Sequence, residues 1–327
     1  MNNRGLLDLI ISFLPGLTPR EQISLLQNFE NEDDFLSLSK EDIEKNINRV
    51  LQIYWDFDEI RAKAEHVQSV CRMRSIHWVS YISADYPPLV REIYDPPPVL
   101  FYRGRLPNPE RSLLGMVGTR HPSCEASAQA HSIACEAGLG GISVVSGLAL
   151  GIDAMSHRGN LCGGVPGYAV LGSGVDEIYP SSNRMLAMRI LESGGAIISE
   201  YPPGTLPHKW NFPARNRIIA ALSRSLIIVE APQKSGALIT AGFALEQGKD
   251  LWVASSGVQE GHRNMLYDRL GTIKLAADGA DIIYNARDVF EKWNITGAYN
   301  DDSPVPVFDT TGKELAASMA SFLEIKL

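Results

Sequence analysis

Two hydrophobic patterns divide the chain. From residue 6 to about 70, apolar residues recur at three- and four-residue steps, beginning with Leu6, Leu9, Ile10 and Phe13. This spacing is typical of amphipathic helices. Pro15 and Gly16 interrupt the pattern and predict the end of the first helix. The pattern predicts a small all-α domain over residues 1–75.

The second helix carries a recognisable start signal. Thr18 and Glu21 have the spacing of a capping box. Short helices joined by such turns resemble those of SAM-like and helix-hairpin-helix modules, although a plain helical bundle has the same pattern. A proline-rich stretch, Tyr86–Pro98, follows this region and predicts a linker or a rigid strap before the next domain.

After residue 110, short apolar runs alternate with amphipathic segments. Alternation of this kind indicates βα units on a buried parallel sheet. The predicted strands are Leu113–Gly118, Ile142–Ser146, Tyr168–Leu171, Ala196–Ser199, Leu226–Glu230 and Leu251–Ala254. The predicted helices are 123–138, 152–162, 182–193, 213–222, 237–247 and 262–269. The fold class is therefore α/β, a doubly wound parallel sheet over residues 76–295. In the tail, residues 296–327, the pattern predicts one helix at Gly312–Leu323. We expect this tail to be part of a winged-helix-like element.

Charge is distributed unevenly along the chain. The 30 basic and 38 acidic residues give a net charge of −8. Residues 1–70 contain 7 basic and 13 acidic side chains, a net of −6, whereas residues 203–249 contain 6 basic and 2 acidic side chains, a net of +4. Because a local patch sets the local field, overall acidity does not exclude an anionic partner.

Membrane and export signals are missing from the sequence pattern. The longest uncharged runs, Ala137–Ile152 and Gly159–Val175, are shorter than the roughly 20 apolar residues that a span needs. Asp8 interrupts the apolar N-terminal stretch, and no cleavage site for a signal peptide follows it. We expect a cytoplasmic protein without membrane contact. Its cysteines, Cys71, Cys124, Cys135 and Cys162, form no CxxC pair and predict packing residues without a metal.

Two glycine-containing loops are candidate anion sites. Ser146 and Gly147 begin the loop SGLALGID before a predicted helix, and Lys234, Ser235 and Gly236 precede another. Backbone N–H groups at a helix start favour an anion such as phosphate. The first loop is not a GxGxxG fingerprint, and on its own the loop slightly favours tight strand–helix packing as the reason for these glycines. The sequence predicts no catalytic residues and no cofactor.

The segment 209–217 combines cations and aromatic rings. Its sequence is Lys-Trp-Asn-Phe-Pro-Ala-Arg-Asn-Arg. The candidate nucleic-acid-binding residues in it are Lys209, Phe212, Arg215, Asn216 and Arg217. Single-stranded nucleic acid is held by this combination, because cations follow the phosphates while rings stack on bases. The alternative is that the rings pack in the core and that the arginines pair with Glu200 and Glu230.

In order along the chain, these motifs resemble the DprA/Smf family of DNA-processing proteins. The resemblance runs from about Ala84 to Ile283. Its motifs are Gly118-Thr119-Arg120, the SGLALGID loop with His157, Gly164, Ala169–Asp176, Tyr179-Pro180, Ser199-Glu200, Phe212–Arg217, Val229-Glu230-Ala231 and SGALITAGFALEQG. The sequence departs from the family pattern at Ser256-Gly257 and in the run 261–271.

The resemblance implies an extended Rossmann fold, a SAM-like N-terminal domain and binding of single-stranded DNA. It implies that Arg120, Lys209 and Phe212 line the DNA pocket beside Gly118 and Lys234–Gly236. It further implies a non-enzymatic recombination mediator of natural transformation and competence that protects DNA and helps load the RecA recombinase. Single-strand-binding protein is an expected second partner, and a homodimer through the Rossmann domain is expected.

A nucleotide-handling enzyme is the alternative function. Related Rossmann proteins cleave nucleoside monophosphates with a positioned Arg and Glu, and Arg120 or Arg217 with Glu200 or Glu230 could supply them. The expected dimer surface is Ser256–Tyr284, with apolar Val258, Met265, Leu266, Ile273 and Leu275. These residues could instead complete the core of the sixth βα unit.

Overall fold

The N-terminal part of this computed structural model is helical. The structure describes residues 4–259 and 263–295. Five helices begin it, α1 (Arg4–Ser12), α2 (Pro19–Asn28), α3 (Glu32–Leu36), α4 (Lys40–Ile47) and α5 (Phe57–Met73). The capping box forms as the spacing predicts: Glu21 N–H donates to Thr18 Oγ1 at 3.3 Å, and Thr18 N–H donates to Glu21 Oε2 at 2.7 Å.

The remaining described residues form one sheet covered by helices. Its strands are β1 (His77–Ser80), β2 (Val99–Gly104), β3 (Leu113–Val117), β4 (Ser143–Ser146), β5 (Tyr168–Val170), β6 (Ala196–Ser199), β7 (Ser223–Ile228), β8 (Asp250–Ala254) and β9 (Asp281–Ile283). Its helices are α6 (Pro88–Arg91), α7 (Cys124–Leu139), α8 (Ile152–Cys162), α9 (Arg184–Glu192), α10 (Asn211–Leu222), α11 (Gly236–Glu246), α12 (Arg263–Ala277) and α13 (Ala286–Lys292).

Strand order places the candidate site. Across the described part of the chain the order is β1-β2-β6-β5-β4-β3-β7-β8-β9. The pairs β1–β2 and β2–β6 are antiparallel, and all other pairs are parallel. The chain therefore winds outward from β3 in one direction, returns, and continues from β7 in the other. Ligands bind doubly wound sheets beyond the carboxyl ends of the strands near such a switch point. The predicted doubly wound α/β class is confirmed.

The strands that the sequence pattern missed lie at the two edges of the sheet. The six predicted strands are present within three residues of their predicted ends, and β1, β2 and β9 are additional. The proline-rich stretch lies between β1 and β2, within the sheet rather than between two domains. There Tyr86 is fully buried and donates its hydroxyl hydrogen to the Pro97 carbonyl at 2.8 Å. The stretch is therefore a packed strap.

The helical region and the sheet share a core. Leu9 of α1 and Phe35 of α3 belong to the same buried apolar cluster as Phe101 of β2 and Ile197 of β6. Burying this area removes apolar surface from water and stabilises the contact of helices and sheet. No helix within residues 4–259 or 263–295 is long and apolar enough to cross a membrane.

Two residues of the expected dimer surface pack inward instead. Val258 and Leu275 are partly buried against the core of the sheet. This agrees with the alternative that such residues complete the last βα units. The side chains of Met265 and Leu266, and the helix predicted at Gly312–Leu323, lie outside the described part.

A buried carboxylate joins α1 to β1 and gives folding stability a pH dependence. Ser80 Oγ donates to Asp8 Oδ2 at 2.7 Å, and burial, the largest cause, raises the pKa of Asp8. An acid with a raised folded-state pKa binds more protons when folded, so its cost to stability grows as the pH rises through that range. The neutral Asp8→Asn variant carries no such cost.

We therefore expect the free energy of unfolding of Asp8→Asn, relative to wild type, to increase from about pH 4 towards neutral pH. Urea unfolding over this pH range measures it, with the exposed Asp278→Asn as control. A difference that is constant with pH would contradict the burial of an ionised Asp8.

Candidate nucleic-acid interface

The turn after β3 is wedged between two neighbouring segments. A Cβ atom at Gly118 would lie 2.6 Å from Ile152 Cγ1 and 2.9 Å from the Glu230 carbonyl oxygen, so only glycine fits. Thr119 N–H donates to that Glu230 carbonyl at 2.8 Å, and Ile152 N–H donates to the Thr119 carbonyl at 3.2 Å. These contacts fix the turn and leave Arg120 exposed at its tip.

The loop after β4 uses its amides internally. Gly147 N–H and Ala149 N–H donate to Asp153 Oδ2 at 3.1 and 3.3 Å. Ser146 is fully buried and donates its hydroxyl hydrogen to the Met116 carbonyl at 2.6 Å. The anion that this loop holds is therefore the chain's own carboxylate. This favours the packing interpretation of Ser146 and Gly147 over a phosphate cradle.

Arg215 is an internal cation. It is 4% exposed, and its Nη1 donates to the carbonyls of Gly147, at 2.9 Å, and Val170. Burial, the largest cause, lowers the pKa of Arg215 to about 10, while nearby Asp153 opposes that change. A Cβ atom at Gly147 would lie 2.7 Å from both Arg215 Nη2 and Asp153 Oδ2. Arg215 therefore ties α10 to the ends of β4 and β5, and little of its side chain is exposed.

Arg217 is also engaged inside the fold. It donates two hydrogen bonds to Glu200, at 2.6 and 2.7 Å, and lies 3.0 Å from Asp95. Burial alone would lower the pKa of Arg217, but the hydrogen bonds to Glu200 raise it. Of the three cations in the segment 209–217, only Lys209 is exposed. The alternative that Arg217 pairs with Glu200 is what the structure shows.

An exposed cation and two aromatic rings meet beyond the ends of β3 and β5. The Arg120 guanidinium carbon lies 5.5 Å from the ring centre of Phe212, and the ring of Tyr179 lies 5.6 Å from that of Phe212. The same shallow depression is also lined by Gly147, Ala149, Leu150, Pro180 and Arg215. Phe212 is half-buried and belongs to none of the apolar clusters of the described residues. We call Arg120, Tyr179 and Phe212 the aromatic depression.

A second aromatic surface precedes α10. Trp210 is 72% exposed, and its ring stacks on His208 with the centres 4.8 Å apart and the planes 1° from parallel. Lys209 lies between them in the chain and is exposed. A tryptophan is seldom left in water without a partner, so an exposed indole beside a cation is a candidate stacking surface.

The start of α11 is fastened to α10. Ser235 caps α11 by accepting a hydrogen bond from Ala237 N–H at 3.1 Å, and Asn216 Nδ2 donates to the Gly236 carbonyl at 3.2 Å. Lys234 is exposed just before this cap. Asn216 thus positions the loop of Lys234.

Both carboxylates that a nucleotide-cleaving enzyme would need already accept hydrogen bonds from side chains of the same fold. Glu230 is 1% exposed and accepts hydrogen bonds from Ser123 N–H at 2.9 Å, Ser123 Oγ at 2.6 Å and Arg269 Nε at 3.1 Å. Glu200 is held by Arg217. Either carboxylate would have to break an internal ion pair before acting as a base. The geometry gives no support to cleavage of nucleoside monophosphates.

The structure therefore divides the predicted site residues into two groups. Arg120 and Phe212 touch, and Lys209 and Lys234 are exposed in the loops beside them. The other candidates make contacts within the fold: Gly118, Ser146, Gly147, Arg215, Asn216, Arg217, Ser235 and Gly236. Their predicted contacts with DNA stay predictions. Sequence reasoning missed the roles of Tyr179 and Arg269. Tyr179 stands in a Tyr-Pro pair soon after the third predicted strand, which was a usable signal, whereas nothing near Arg269 indicated its pairing.

Comparison with known proteins decides the family. The sequence model of DNA recombination-mediator protein A matches residues 77–294. The chain belongs to this family. It is 36% identical to the DNA processing protein DprA of Bacillus subtilis over 72% of this chain and 78% of that protein. It is 46% identical to the Smf protein of Synechocystis over 61% of this chain, but this alignment spans about half of that relative. The predicted DprA/Smf resemblance is confirmed.

Solved structures agree with the sequence comparison. The X-ray structure of DprA from Streptococcus pneumoniae superposes with a TM-score of 0.71 and 30% identity, covering 89% of this chain and 98% of that one. DNA processing protein A from Helicobacter pylori superposes with a TM-score of 0.57 and 27% identity, covering 67% and 95%. The work on the latter describes its single-stranded DNA binding mode.

Because Arg217 is internal and Arg120 is exposed, their substitution by alanine should change folding stability by very different amounts. Arg217→Ala leaves Glu200 partly buried without its partner, so we expect a loss of about 3–5 kcal/mol in the free energy of unfolding. Arg120→Ala removes an exposed side chain, so we expect a change within about 0.5 kcal/mol. Urea unfolding of both variants measures this. Equal losses in the two variants would show that the assignment of internal and exposed arginines is wrong.

Proposed function

We propose that this protein binds single-stranded DNA at the aromatic depression and along the loop 208–210. The observation that carries the proposal is the approach of the exposed Arg120 to the half-buried Phe212, with the ring of Tyr179 also beside Phe212. A guanidinium beside an open ring can neutralise a phosphate while the ring stacks on the adjacent base. The single-stranded DNA binding described for the Helicobacter pylori relative supports this proposal.

The charges around the depression suit a polyanion. Arg120, Lys209 and Lys234 are exposed in loops that follow different strands. The acidic groups Glu200 and Glu230 are neutralised by arginines behind these loops. The local field is therefore positive even though the whole chain carries a net charge of −8.

The proposed chemistry is binding without bond cleavage. Stacking and phosphate neutralisation hold a strand in any sequence, because every base has an aromatic face and every linkage has a phosphate. Such a surface is suited to protecting single strands during DNA processing. We therefore propose a recombination mediator rather than an enzyme.

Membership of the family supports a wider role as well. We propose that the bound strand is passed to the RecA recombinase during natural transformation, with single-strand-binding protein as the competitor that must be displaced. A homodimer would bring two depressions to one strand and raise the effective concentration of the second site. Filament formation by RecA on DNA coated with single-strand-binding protein, with and without this protein, tests the loading role.

The phosphate contacts can be tested by their salt dependence. We expect Arg120→Ala and Lys209→Ala each to weaken binding of an oligothymidylate, because each removes one neutralising charge. The slope of the logarithm of affinity against the logarithm of salt concentration should fall by about 0.7 for each lost contact. Fluorescence anisotropy at several salt concentrations measures both quantities.

The matched control is Lys45→Ala, which removes one positive charge from α4 of the helical region, where Lys45 pairs with Asp42. If affinity fell equally in all three variants, the loss would reflect net charge alone. Arg120 and Lys209 would then not be phosphate contacts.

The role of the ring can be separated from that of the charge. If Phe212 stacks on a base, Phe212→Ala should weaken binding by about 1–3 kcal/mol and leave the melting temperature almost unchanged. If Phe212 is a core residue, the substitution should instead cost about 3–5 kcal/mol of folding stability. Binding titration beside thermal melting distinguishes these results, with Phe212→Tyr as the variant that keeps the ring. If Phe212→Tyr, which keeps the ring, bound as weakly as Phe212→Ala, stacking on the ring would not explain the loss.

A further inference from the structure

Helices α7 and α8 approach each other at glycines. A Cβ atom at Gly159 would lie 2.2 Å from the His131 carbonyl oxygen, and one at Gly163 would lie 2.5 Å from the Cys135 carbonyl oxygen. Only residues without a Cβ allow backbones to come this close. Because Gly163 lies against the Cys135 backbone, the preceding residue, Cys162, is also near Cys135.

Two cysteine side chains meet at this contact. Cys135 of α7 is 5% exposed, Cys162 at the end of α8 is exposed, and a side-chain hydrogen bond joins them. Both are free thiols. The sequence pattern predicts that all four cysteines are packing residues, which fits the buried Cys71 and Cys135 but not the exposed Cys124 and Cys162.

We propose that Cys135 and Cys162 form an oxidation site, at which hydrogen peroxide converts the two thiols into one disulfide that joins α7 to α8. In the first step the Cys162 sulfur attacks the peroxide, the O–O bond breaks, and a sulfenic acid and water are formed. In the second step the Cys135 sulfur attacks the sulfenic sulfur, a second water leaves, and the S–S bond forms. Two thiols lose two electrons and two protons, and the peroxide is reduced to water.

The two cysteines are suited to different steps. Cys162 can be reached by a small oxidant because it is exposed, whereas Cys135 is covered by protein. Burial, the largest cause, raises the pKa of the Cys135 thiol to about 12, so Cys135 is a poor first nucleophile. It lies in contact with the sulfur that is oxidised first, and proximity favours its attack in the second step. A sulfenic acid next to a thiol is converted to a disulfide in this way.

The bond would clamp the two helices that lead away from the site. Helix α7 follows the turn of Arg120, and α8 follows the loop of Gly147. Cys135 and Cys162 lie in the later parts of these helices, away from the loops themselves. We therefore expect oxidation to raise the melting temperature, because a cross-link restricts the unfolded chain, and a reductant to reverse the effect.

The test uses the full chain treated with hydrogen peroxide, unfolded, and alkylated. We expect wild type to lose two alkylatable thiols, and digestion to yield one peptide pair linked through Cys135 and Cys162. Cys124→Ser is the matched control, since it removes another exposed thiol and should leave the linked pair unchanged. Cys162→Ser should abolish both the link and the rise in melting temperature.

Three results would overturn the proposal. These are a wild-type chain that keeps four alkylatable thiols, a chain in which Cys162 proceeds to sulfinic acid while Cys135 remains alkylatable, and a link between two molecules through Cys162. Non-reducing electrophoresis identifies the last of these.

Discussion

The buried guanidinium of Arg215 is the interaction on which the site depends. It donates to the carbonyls of Gly147 and Val170 at the ends of β4 and β5, and it lies beside the Asp153 carboxylate. Asp153 in turn accepts the amides of the loop after β4. These two buried side chains together fix a loop, two strand ends and the first turns of α10. Removing either of them is costly, because the buried backbone groups that it satisfies would lose their hydrogen-bond partners.

The fixed scaffold determines which side chains remain for a ligand. Phe212 lies one helical turn before Arg215, so the anchoring of α10 also sets the position of that ring. Glu200 and Glu230 are each held by an arginine, which removes negative charge from the strand ends. What reaches the surface is Arg120, Lys209, Lys234 and the aromatic rings. The acidic chain thus presents a basic, aromatic surface where these loops converge.

The sequence pattern predicted the inner strands because each is a continuous apolar run, buried on both faces. It missed β9, two of whose three residues are exposed, and β1 and β2, which flank the proline-rich strap. Composition identified the segment 209–217 as a candidate site. It could not show which of the cations are available to a ligand, because Lys209 and Arg217 differ in the side chains that the fold places beside them. Likewise the glycines of the loop after β4 predicted a cradle, yet the occupant is Asp153, six residues further along the same chain. Arg269 and Glu230 are far apart in the sequence, so the residues around either of them do not predict that they pair.

Photocrosslinking gives the most direct test of the account. A short single-stranded oligonucleotide with one photoreactive uracil is bound, irradiated, and the linked residues are identified by mass spectrometry. The account predicts adducts on Phe212, Tyr179 or Trp210. Tyr54 and Tyr94, which are 90% and 77% exposed elsewhere on the protein, serve as accessible aromatic controls. Adducts on these tyrosines in place of the three predicted rings would contradict the assignment of the interface.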